Sequence, residues 1–381
     1  MPLIYLDNSA TSFPKAPVVE TAVRDAILTA GTSGRASYEV ALKGSRILYQ
    51  CRKNIAELLG VKKSSSIIFT SGTTESLNTV LKGYIRRGMR ILTSGAEHNS
   101  VMRVLNFLKT DRQIHIDRFV NNSDGTADLI SYSEFLKKSP DLVVICHSSN
   151  VTGAMYPIAE MIESAHRAGA VVCIDGAQSS GHEEIDLQKI DVDFFCFSGH
   201  KGFLGPAGTG GFYIREGLKI EALIHGGTGS YSEEETQPEF LPDRYESGTQ
   251  NIHGLAGLAE STSFLLETGV ENIRKKEMGL SLLLIEGLKS IKGIKIFGPD
   301  TIEKRNSVVS FIHPDWEISD LAEALEEKGI AMRMGLHCTP SAHKILGTFN
   351  SGGTIRLSPG YFNTEKEMKN SIEIIRNIIN G

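Results

Sequence analysis

The sequence predicts an α/β protein, with a large domain built on a mainly parallel seven-stranded sheet and a smaller α+β domain towards the C-terminus. Between about residues 65 and 215, short apolar runs alternate with helical stretches, and the runs are apolar at nearly every position. Strands of parallel sheets are covered on both faces, so they lack the polar alternation of half-exposed strands. The chain of 381 residues is also too long for one small core, which favours two domains.

Seven runs are predicted as strands of the large sheet. They are SIIFT (66–70), RILTS (90–94), QIHIDRF (113–119), DLVVICHS (141–148), AVVCID (170–175), DFFCFS (193–198) and GGFYI (210–214). A helix is predicted over PIAEMIESAHRAG (157–169), with proline at its first position, an apolar stripe and a final glycine. Ligands of such sheets bind outside the carboxyl ends of the strands, so polar residues there are candidate site residues.

After Gly254 the pattern changes to long helices and shorter strands. The expected elements are a helix over about 272–291, strands KIFG and SVVSFIH, and helices near 318–328 and 364–379. We therefore predict a large domain over residues 12–255 and a small α+β domain over residues 256–381, completed by residues 1–11.

Composition and charge are typical of a globular protein without a polyanionic partner. The net charge is −5 and no basic stripe occurs, which argues against nucleic acid binding. The first residues, MPLIYLDNSA, lack the basic and apolar segments of a signal peptide. No run approaches the ~20 apolar residues of a membrane span. We expect a cytoplasmic protein that does not bind a membrane.

Of the five cysteines, four are expected to be inert and one is a candidate for reactivity. No CxxC pair or zinc-like spacing occurs, so no metal site is predicted. Four are expected to be inert: Cys51, Cys146, Cys173 and Cys196. Three of these lie in apolar runs, where free cysteine packs as a small hydrophobe. Cys338 instead lies in RMGLHCTP (333–340), among loop-forming and polar residues, which makes it a candidate reactive thiol.

Two motifs at strand ends could hold an anionic, heterocyclic ligand. SGTTESLN (71–78) places Thr73 and Thr74 at a helix start, where backbone N–H groups favour an anion, although simple N-capping explains the motif equally well. VVCIDGAQ (171–178) places Asp175 and Gln178 after a buried strand. A buried carboxylate needs a cationic or hydrogen-bonded partner, either within the protein or a protonated ring nitrogen.

Three more motifs follow neighbouring strands. FSGHKGFLGPAGTGG (197–211) contains Lys201, whose amine would become nucleophilic if partly desolvated, or would be an ordinary lysine on a flexible loop. The glycines around it are predicted to leave room for a flat ligand. His98 in SGAEHNS could stack on a ring or be structural, and Asn150 in HSSNVTG offers a neutral donor and acceptor.

This ordered set resembles the class V aminotransferase family of fold-type I pyridoxal-phosphate enzymes, and within it the cysteine desulfurase and selenocysteine lyase group. The resemblance extends from YLDNSAT (5–11) to IRLSPGYFNT (355–364), essentially the whole chain. It implies pyridoxal 5′-phosphate as cofactor, L-cysteine or L-selenocysteine as substrate, and a homodimer. It also implies a possible sulfur-acceptor protein.

The resemblance also implies roles for the strand-end residues. Lys201 would hold the cofactor covalently and move the substrate Cα proton, and Asp175 would pair with the pyridine nitrogen. His98 would stack on the ring and transfer protons. The remaining implied contacts are Thr73, Thr74, Ser198 and His200 to the phosphate, Gln178 and Asn150 to the phenolic oxygen or the substrate carboxylate side, Thr249 to the phosphate of the neighbouring subunit, and Arg356 to the substrate carboxylate.

Cys338 matches the catalytic cysteine of the family, in the compact RxGxxC…P form of the second desulfurase group. The resemblance implies that its thiolate attacks the substrate sulfur, leaving an enzyme persulfide and alanine. A cationic neighbour, Arg333 or His337, would favour the thiolate and could also contact substrate.

Several positions depart from the family pattern. Asn99 and Leu336 replace histidines common in the second group, and Ser37 replaces another beside Arg35. These changes bear on substrate and acceptor. The segment 226–244 is predicted as a solvated loop, with an acceptor-facing hook as the alternative.

Two other functions stay open. One is a pyridoxal-phosphate aminotransferase, epimerase or β-lyase in which Cys338 is incidental. The other is a non-catalytic scaffold, which is disfavoured because Lys201, Asp175 and His98 are all present.

Overall fold

The computed structural model describes residues 3–32, 37–231 and 233–381, so Arg35 lies outside the described residues. The strands, in chain order, are β1 Ile4–Tyr5, β2 Ile67–Thr70, β3 Arg90–Ser94, β4 His115–Phe119, β5 Leu142–Cys146, β6 Val171–Asp175, β7 Phe194–Ser198, β8 Gly210–Ile214, β9 Lys295–Phe297, β10 Val309–Ile312, β11 Ile330–Ala331, β12 Arg333–Gly335 and β13 Thr354–Leu357. The helices are α1 Pro17–Thr29, α2 Glu39–Leu58, α3 Thr73–Tyr84, α4 Asn99–Asp111, α5 Leu129–Leu136, α6 Ile158–Arg167, α7 Ile252–Thr268, α8 Val270–Lys289, α9 Ile318–Glu327, α10 Pro340–Leu346 and α11 Glu365–Asn380.

The seven predicted strands form one sheet in the order β2-β8-β7-β6-β5-β3-β4. The pairs from β7 to β4 are parallel, whereas β8 is antiparallel to both β2 and β7. The prediction of a mainly parallel seven-stranded sheet is therefore confirmed. Because the parallel strands run the same way, their carboxyl ends meet at one edge.

Apolar layers cover both faces of this sheet. On β5, Val143 and Ile145 pack in one core with residues of α2, α6 and α7, and Leu142 and Val144 pack in another with residues of α3 and α4. Successive side chains of a strand point to opposite faces. Burial of both faces thus explains why LVVIC is apolar throughout.

Helix α6 follows the predicted pattern with a small shift at its start. Its buried residues are Ile158, Met161, Ile162 and Ala165. Pro157 is the N-cap residue and not the first helical residue, so the helix begins one position later than predicted; Gly169 follows the helix with a positive φ of 83°.

The C-terminal part contains an antiparallel sheet in the order β12-β13-β10-β9, packed with residues of α8, α9 and α11. The N-terminal strand β1 pairs in parallel with β11. Helix α7 contributes Leu255, Leu258 and Leu265 to the core under the seven-stranded sheet. The domain limits themselves stay a prediction.

The segment 226–244 contains no helix or strand among its described residues, and Glu233, Glu234 and Glu235 are exposed. No helix in the described ranges has the length and apolar character needed to cross a membrane.

Candidate active site

A cavity of about 300 Å³ opens at the carboxyl edge of the large sheet. Nine residues predicted from the sequence line it: Thr73, Thr74, His98, Asn150, Asp175, Gln178, Ser198, His200 and Lys201. They come from the ends of β2, β3, β5, β6 and β7 or from the segments that directly follow. Parallel strands place their carboxyl ends side by side, and this geometry brings the residues together.

The start of α3 forms one wall of the cavity. Its N-cap is Gly72, with φ 154° and no side-chain cap; the Thr73 N–H donates to Ser198 Oγ at 3.5 Å, whereas the Thr74 and Glu75 N–H groups have no partner among the described residues. Thr73 Oγ1 and Ser198 Oγ are 2.7 Å apart. His200 Nδ1 is buried without a hydrogen-bond partner among the described residues. Free amides, hydroxyls and a buried ring nitrogen fit a phosphate.

Asp175 and Lys201 lie on the same cavity. Asp175 is buried and accepts a hydrogen bond from the Ala177 N–H at 3.0 Å, and burial raises the pKa of its carboxyl group. Burial lowers the pKa of the Lys201 amine to about 8, with the charge of Asp175 opposing the shift. A lysine with this pKa supplies neutral, nucleophilic amine near neutral pH. The pair fits a ligand with a cationic ring nitrogen and a carbonyl carbon.

The glycines around Lys201 allow close chain packing, and the prediction that they leave room for a flat ligand stays a prediction. A Cβ on Gly202 would lie 2.1 Å from the Ser180 carbonyl oxygen, and one on Gly199 would lie 2.2 Å from Thr209 Oγ1. Such distances are far below contact, so these positions exclude larger side chains. The close packing fixes the loop that presents Lys201.

His98 is neutral and fixed in orientation. It is the N-cap of α4, and its Nδ1 accepts from the Ser100 N–H at 3.1 Å, with Ser100 Oγ 2.7 Å away. Since Nδ1 is an acceptor, the proton of the neutral ring is on Nε2. Burial, followed by the charges of Lys201 and Arg333, lowers its pKa to about 4. A neutral ring with its Nε2–H can stack on a ligand and donate a hydrogen bond.

The two predicted amide residues already bind protein groups. Gln178 Nε2 donates to the Ser9 carbonyl oxygen at 2.9 Å. Asn150 Nδ2 donates to the His337 carbonyl oxygen at 2.7 Å, and Asn150 Oδ1 accepts from Thr339 Oγ1 at 2.8 Å. Asn150 therefore joins the cavity to the segment that carries Cys338.

Arg333 and Arg356 face each other across the antiparallel pair β12–β13. Arg356 is 1% exposed; its Nη2 is 2.6 Å from Asp7 Oδ1 and its Nη1 donates to the Asn150 carbonyl oxygen at 3.1 Å. Its Nε is buried without a partner among the described residues. Two neighbouring guanidinium groups, one of them with an unpartnered Nε–H, fit a carboxylate. Sequence reasoning missed Asp7, which lies two residues after the short strand β1 in YLDNS.

Cys338 lies at a second cavity of about 410 Å³, which shares Thr74, His98 and Ser100 with the first. Its thiol is exposed, whereas the other four cysteines are buried, as predicted for Cys146, Cys173 and Cys196. Arg333 Nη2 lies 3.6 Å from Cys338 Sγ. A guanidinium cation therefore lies beside the exposed thiol.

His337 does not supply a second positive charge. The residue is buried, and its Nε2 is 2.9 Å from Thr354 Oγ1. Burial, helped by the charge of Arg356, lowers its pKa to about 2, so the ring is neutral at all physiological pH values. The interpretation of His337 as a cationic activator is therefore wrong, and Arg333 is the cation beside the thiol.

Thr249 is separate from these residues. It is exposed and lines a different cavity, which shares Ser71 and Glu75 with the first.

Neutral, buried His337 makes stability sensitive to acid. The folded state leaves the ring unprotonated, whereas the unfolded chain takes up a proton below about pH 6.5. The stabilisation is complete above this pH and is lost as pH falls. Between pH 6.5 and 5, we expect the unfolding free energy of His337→Gln to fall less steeply than that of wild type, by about 1.4 kcal/mol per pH unit.

Urea unfolding at several pH values measures these slopes. His115→Gln, on exposed β4, is the matched control and should keep the wild-type slope. Equal slopes for wild type and His337→Gln would contradict the buried neutral state.

Comparisons with known proteins agree on one family. The family model described as Aminotransferase class-V matches residues 4–370. A probable cysteine desulfurase of Methanothermobacter thermautotrophicus is 32% identical, over 96% of this chain and 92% of that protein. A cysteine desulfurase of Escherichia coli is 29% identical, over 97% and 91% of the two chains.

Solved structures give the same result. The apo structure of a cysteine desulfurase from Thermococcus onnurineus matches with a TM-score of 0.94 and 31% identity, over 100% of this chain and 95% of that one. The predicted fold, an α/β protein of the fold-type I class, is confirmed. The family match, which spans nearly the whole sequence, confirms the resemblance. The chain therefore belongs to the class V aminotransferase family.

Proposed function

We propose that this protein is a pyridoxal-phosphate-dependent cysteine desulfurase, which converts L-cysteine to L-alanine and takes up the sulfur on Cys338. One observation carries the proposal: the exposed Cys338 thiol lies 3.6 Å from Arg333, and its cavity shares lining residues with the cavity of Lys201 and Asp175. The related proteins named above as cysteine desulfurases support it.

The residues of the first cavity fit the cofactor that the family implies. Thr73, Ser198 and His200, with the free amides of α3, would hold the phosphate. Asp175 would pair with the ring nitrogen, and Lys201 would hold the cofactor covalently. When bound, pyridoxal phosphate supplies an electron sink that activates bonds at the substrate Cα.

Substrate binding is assigned to the arginine pair. A guanidinium binds a carboxylate with two parallel hydrogen bonds, and Arg356 has an unpartnered Nε in addition to its bonds to Asp7 and Asn150. Arg333 neighbours both Arg356 and Cys338, so it lies between the carboxylate site and the thiol. L-Cysteine bound here would present its side chain towards Cys338.

The chain's own groups then have separate tasks. Lys201 moves the substrate Cα proton, because its lowered pKa lets it accept and return a proton near neutral pH. His98 can donate a hydrogen bond from Nε2–H, since its Nδ1 is bound to Ser100. The Cys338 thiolate attacks the substrate sulfur: the S–S bond forms and the Cβ–S bond breaks, with its electron pair left on the carbon side. Cβ then takes up a proton to become the methyl group of alanine, which leaves while the persulfide stays on the enzyme.

Incubation of the cofactor-loaded protein with L-cysteine and dithiothreitol tests the proposal. We expect alanine and sulfide in equal amounts, because dithiothreitol reduces the persulfide at each cycle. Formation of a keto acid, or D-cysteine, in place of alanine would support an aminotransferase or epimerase and contradict sulfur transfer.

We also propose a homodimer in the cytoplasm. Apolar side chains of α1 and α2 are exposed on a single chain, among them Leu28 at 74% and Tyr49 at 63%, which suits burial against a second copy. Exposed Thr249, outside the first cavity, suits contact with the neighbouring subunit's phosphate. A single-chain mass in sedimentation equilibrium would contradict the dimer.

All five cysteines are free, as in reducing compartments, which supports the proposed cytoplasmic location. We further propose that a sulfur-acceptor protein takes the persulfide sulfur from Cys338.

A further inference from the structure

The segment that carries Cys338 has a strained backbone. His337 and Cys338 both adopt the left-handed conformation, with φ of 47° and 58°. Residues other than glycine seldom adopt it, and two in succession persist only where neighbouring contacts hold them. The structure should therefore contain a device that keeps this turn in place.

Three hydrogen bonds to neighbouring elements hold the turn. Asn150 Nδ2 donates to the His337 carbonyl oxygen at 2.7 Å, and Thr339 Oγ1 donates to Asn150 Oδ1 at 2.8 Å. The Asn99 N–H, at the first position of α4, donates to the Cys338 carbonyl oxygen at 2.9 Å. We name these three bonds the Cys338 clasp. Both strained residues thus have their carbonyl groups bound by elements of the large sheet's carboxyl edge.

The Thr339 hydroxyl does not cap the helix that it precedes. Thr339 is the N-cap residue of α10, where a threonine hydroxyl normally accepts from an N–H of the first turn. Here no side-chain cap bond forms, and the fully buried hydroxyl donates to Asn150 instead. The hydroxyl therefore stabilises the turn and not the helix that it begins.

Asn150 also connects the turn to the arginine pair. Its carbonyl oxygen accepts from Arg356 Nη1 at 3.1 Å, while its side chain binds the residues on either side of Cys338. The proposed carboxylate site and the thiol are thus fixed against one residue, which sets the distance between them.

We infer that Thr339 is a positioning residue, which acts through Asn150 and alongside the bond from the Asn99 N–H to hold the Cys338 thiol at the substrate sulfur. The catalytic part of this inference rests on the proposed desulfurase function. Loss of the clasp should slow the attack of Cys338 without weakening substrate binding, because the arginine pair is unchanged.

The first test compares Thr339→Val with Thr339→Ser in the cofactor-loaded protein. Valine keeps the shape and removes the hydroxyl, whereas serine keeps the hydroxyl. With L-cysteine, we expect Thr339→Val to lower kcat at least tenfold with KM within twofold of wild type, and Thr339→Ser to keep kcat within twofold. Wild-type kcat in Thr339→Val, or equal loss in both variants, would overturn the inference.

A second pair of variants tests the clasp without touching Thr339. Proline is favoured at the first position of a helix and lacks the N–H, and the preceding residue, His98, already has the extended backbone that proline requires (φ −64°, ψ 155°). Asn99→Pro therefore removes the bond to Cys338, and Asn99→Ala keeps it. We expect a lower kcat only in Asn99→Pro; wild-type kcat in that variant would overturn the role of this bond.

Hydrogen exchange separates the clasp from the proposed function. Backbone amides of residues 336–339 should exchange at least tenfold faster in Thr339→Val and Asn99→Pro than in wild type, Thr339→Ser and Asn99→Ala. This measurement needs no turnover. Absence of alanine from L-cysteine in the wild type would reject the desulfurase, whereas unchanged exchange in both disrupted variants would reject the clasp.

Discussion

Lys201→Ala is expected to lose both the covalently held cofactor and the turnover of L-cysteine. The buried amine is the group that can bond to the cofactor and move the substrate Cα proton. Loss of general acid–base catalysis alone lowers rates by about 10²–10⁴-fold, and turnover should fall by at least this factor. The measurements are visible absorption after cofactor addition, peptide mapping after borohydride reduction, and alanine release.

Lys15→Ala is a demanding control, because burial lowers the pKa of Lys15 to about 8 as well. Its Nζ is bound to Ser12 Oγ at 2.9 Å and to the His200 carbonyl oxygen at 3.1 Å, and it does not line the cavity. Amine basicity thus does not distinguish the two lysines, whereas position does. Cofactor found on Lys15 after reduction, or a Lys201→Ala protein that still binds cofactor covalently, would contradict the assignment.

The large sheet and its ligand edge were predictable because they follow from local rules. A strand such as LVVIC has apolar residues at every position because both faces of β5 are buried. Once the strands are known, parallel topology places the residues that follow them at one edge. Asp175, Lys201 and Asn150 were found in this way, without any knowledge of their contacts.

Contacts between distant parts of the chain were not predictable in this way. Strands β1, β11, β12 and β13 have only two to four residues, too few to show a period. The ion pair between Asp7 and Arg356 joins residues 349 positions apart. Each looks like an ordinary charged residue beside a short apolar run, and only the fold brings the two together.

The state of His337 illustrates a further limit. In RMGLHCTP, a histidine next to a cysteine indicates a cationic partner for the thiol. Packing instead buries the ring against Thr354 and His343, where protonation is disfavoured. Burial of a single loop residue depends on tertiary structure, so the sequence pattern could only indicate two candidates, Arg333 and His337, for the cation beside Cys338. The structure retains Arg333 alone in this role.

Cys338→Ala is expected to separate sulfur chemistry from the rest of the site. Alanine release from L-cysteine should fall by more than about a hundredfold, because the nucleophile that accepts the sulfur is missing. Covalent cofactor binding should be unchanged, since Cys338 lines the second cavity and Lys201 the first. Turnover of L-cysteine at the wild-type rate would reject the persulfide mechanism and favour an enzyme in which Cys338 is incidental.

The matched control is Cys51→Ala, which removes a fully buried thiol on α2. Burial raises the pKa of this thiol, so it is chemically inert, and its loss should cost stability but not activity per folded molecule. Iodoacetamide should accordingly label the native protein at Cys338 alone and all five cysteines after denaturation.

Turnover of L-selenocysteine by Cys338→Ala shows whether L-cysteine and L-selenocysteine both need the thiol. Selenium leaves carbon more readily than sulfur, so it depends less on attack by a protein thiolate. If the site binds both amino acids through the arginine pair, Cys338→Ala should lose L-cysteine turnover and keep most L-selenocysteine turnover. Equal loss with both substrates would mean that Cys338 is also needed for L-selenocysteine turnover. In that case, Leu336, which replaces the histidine common in this group, does not remove the need for the thiol.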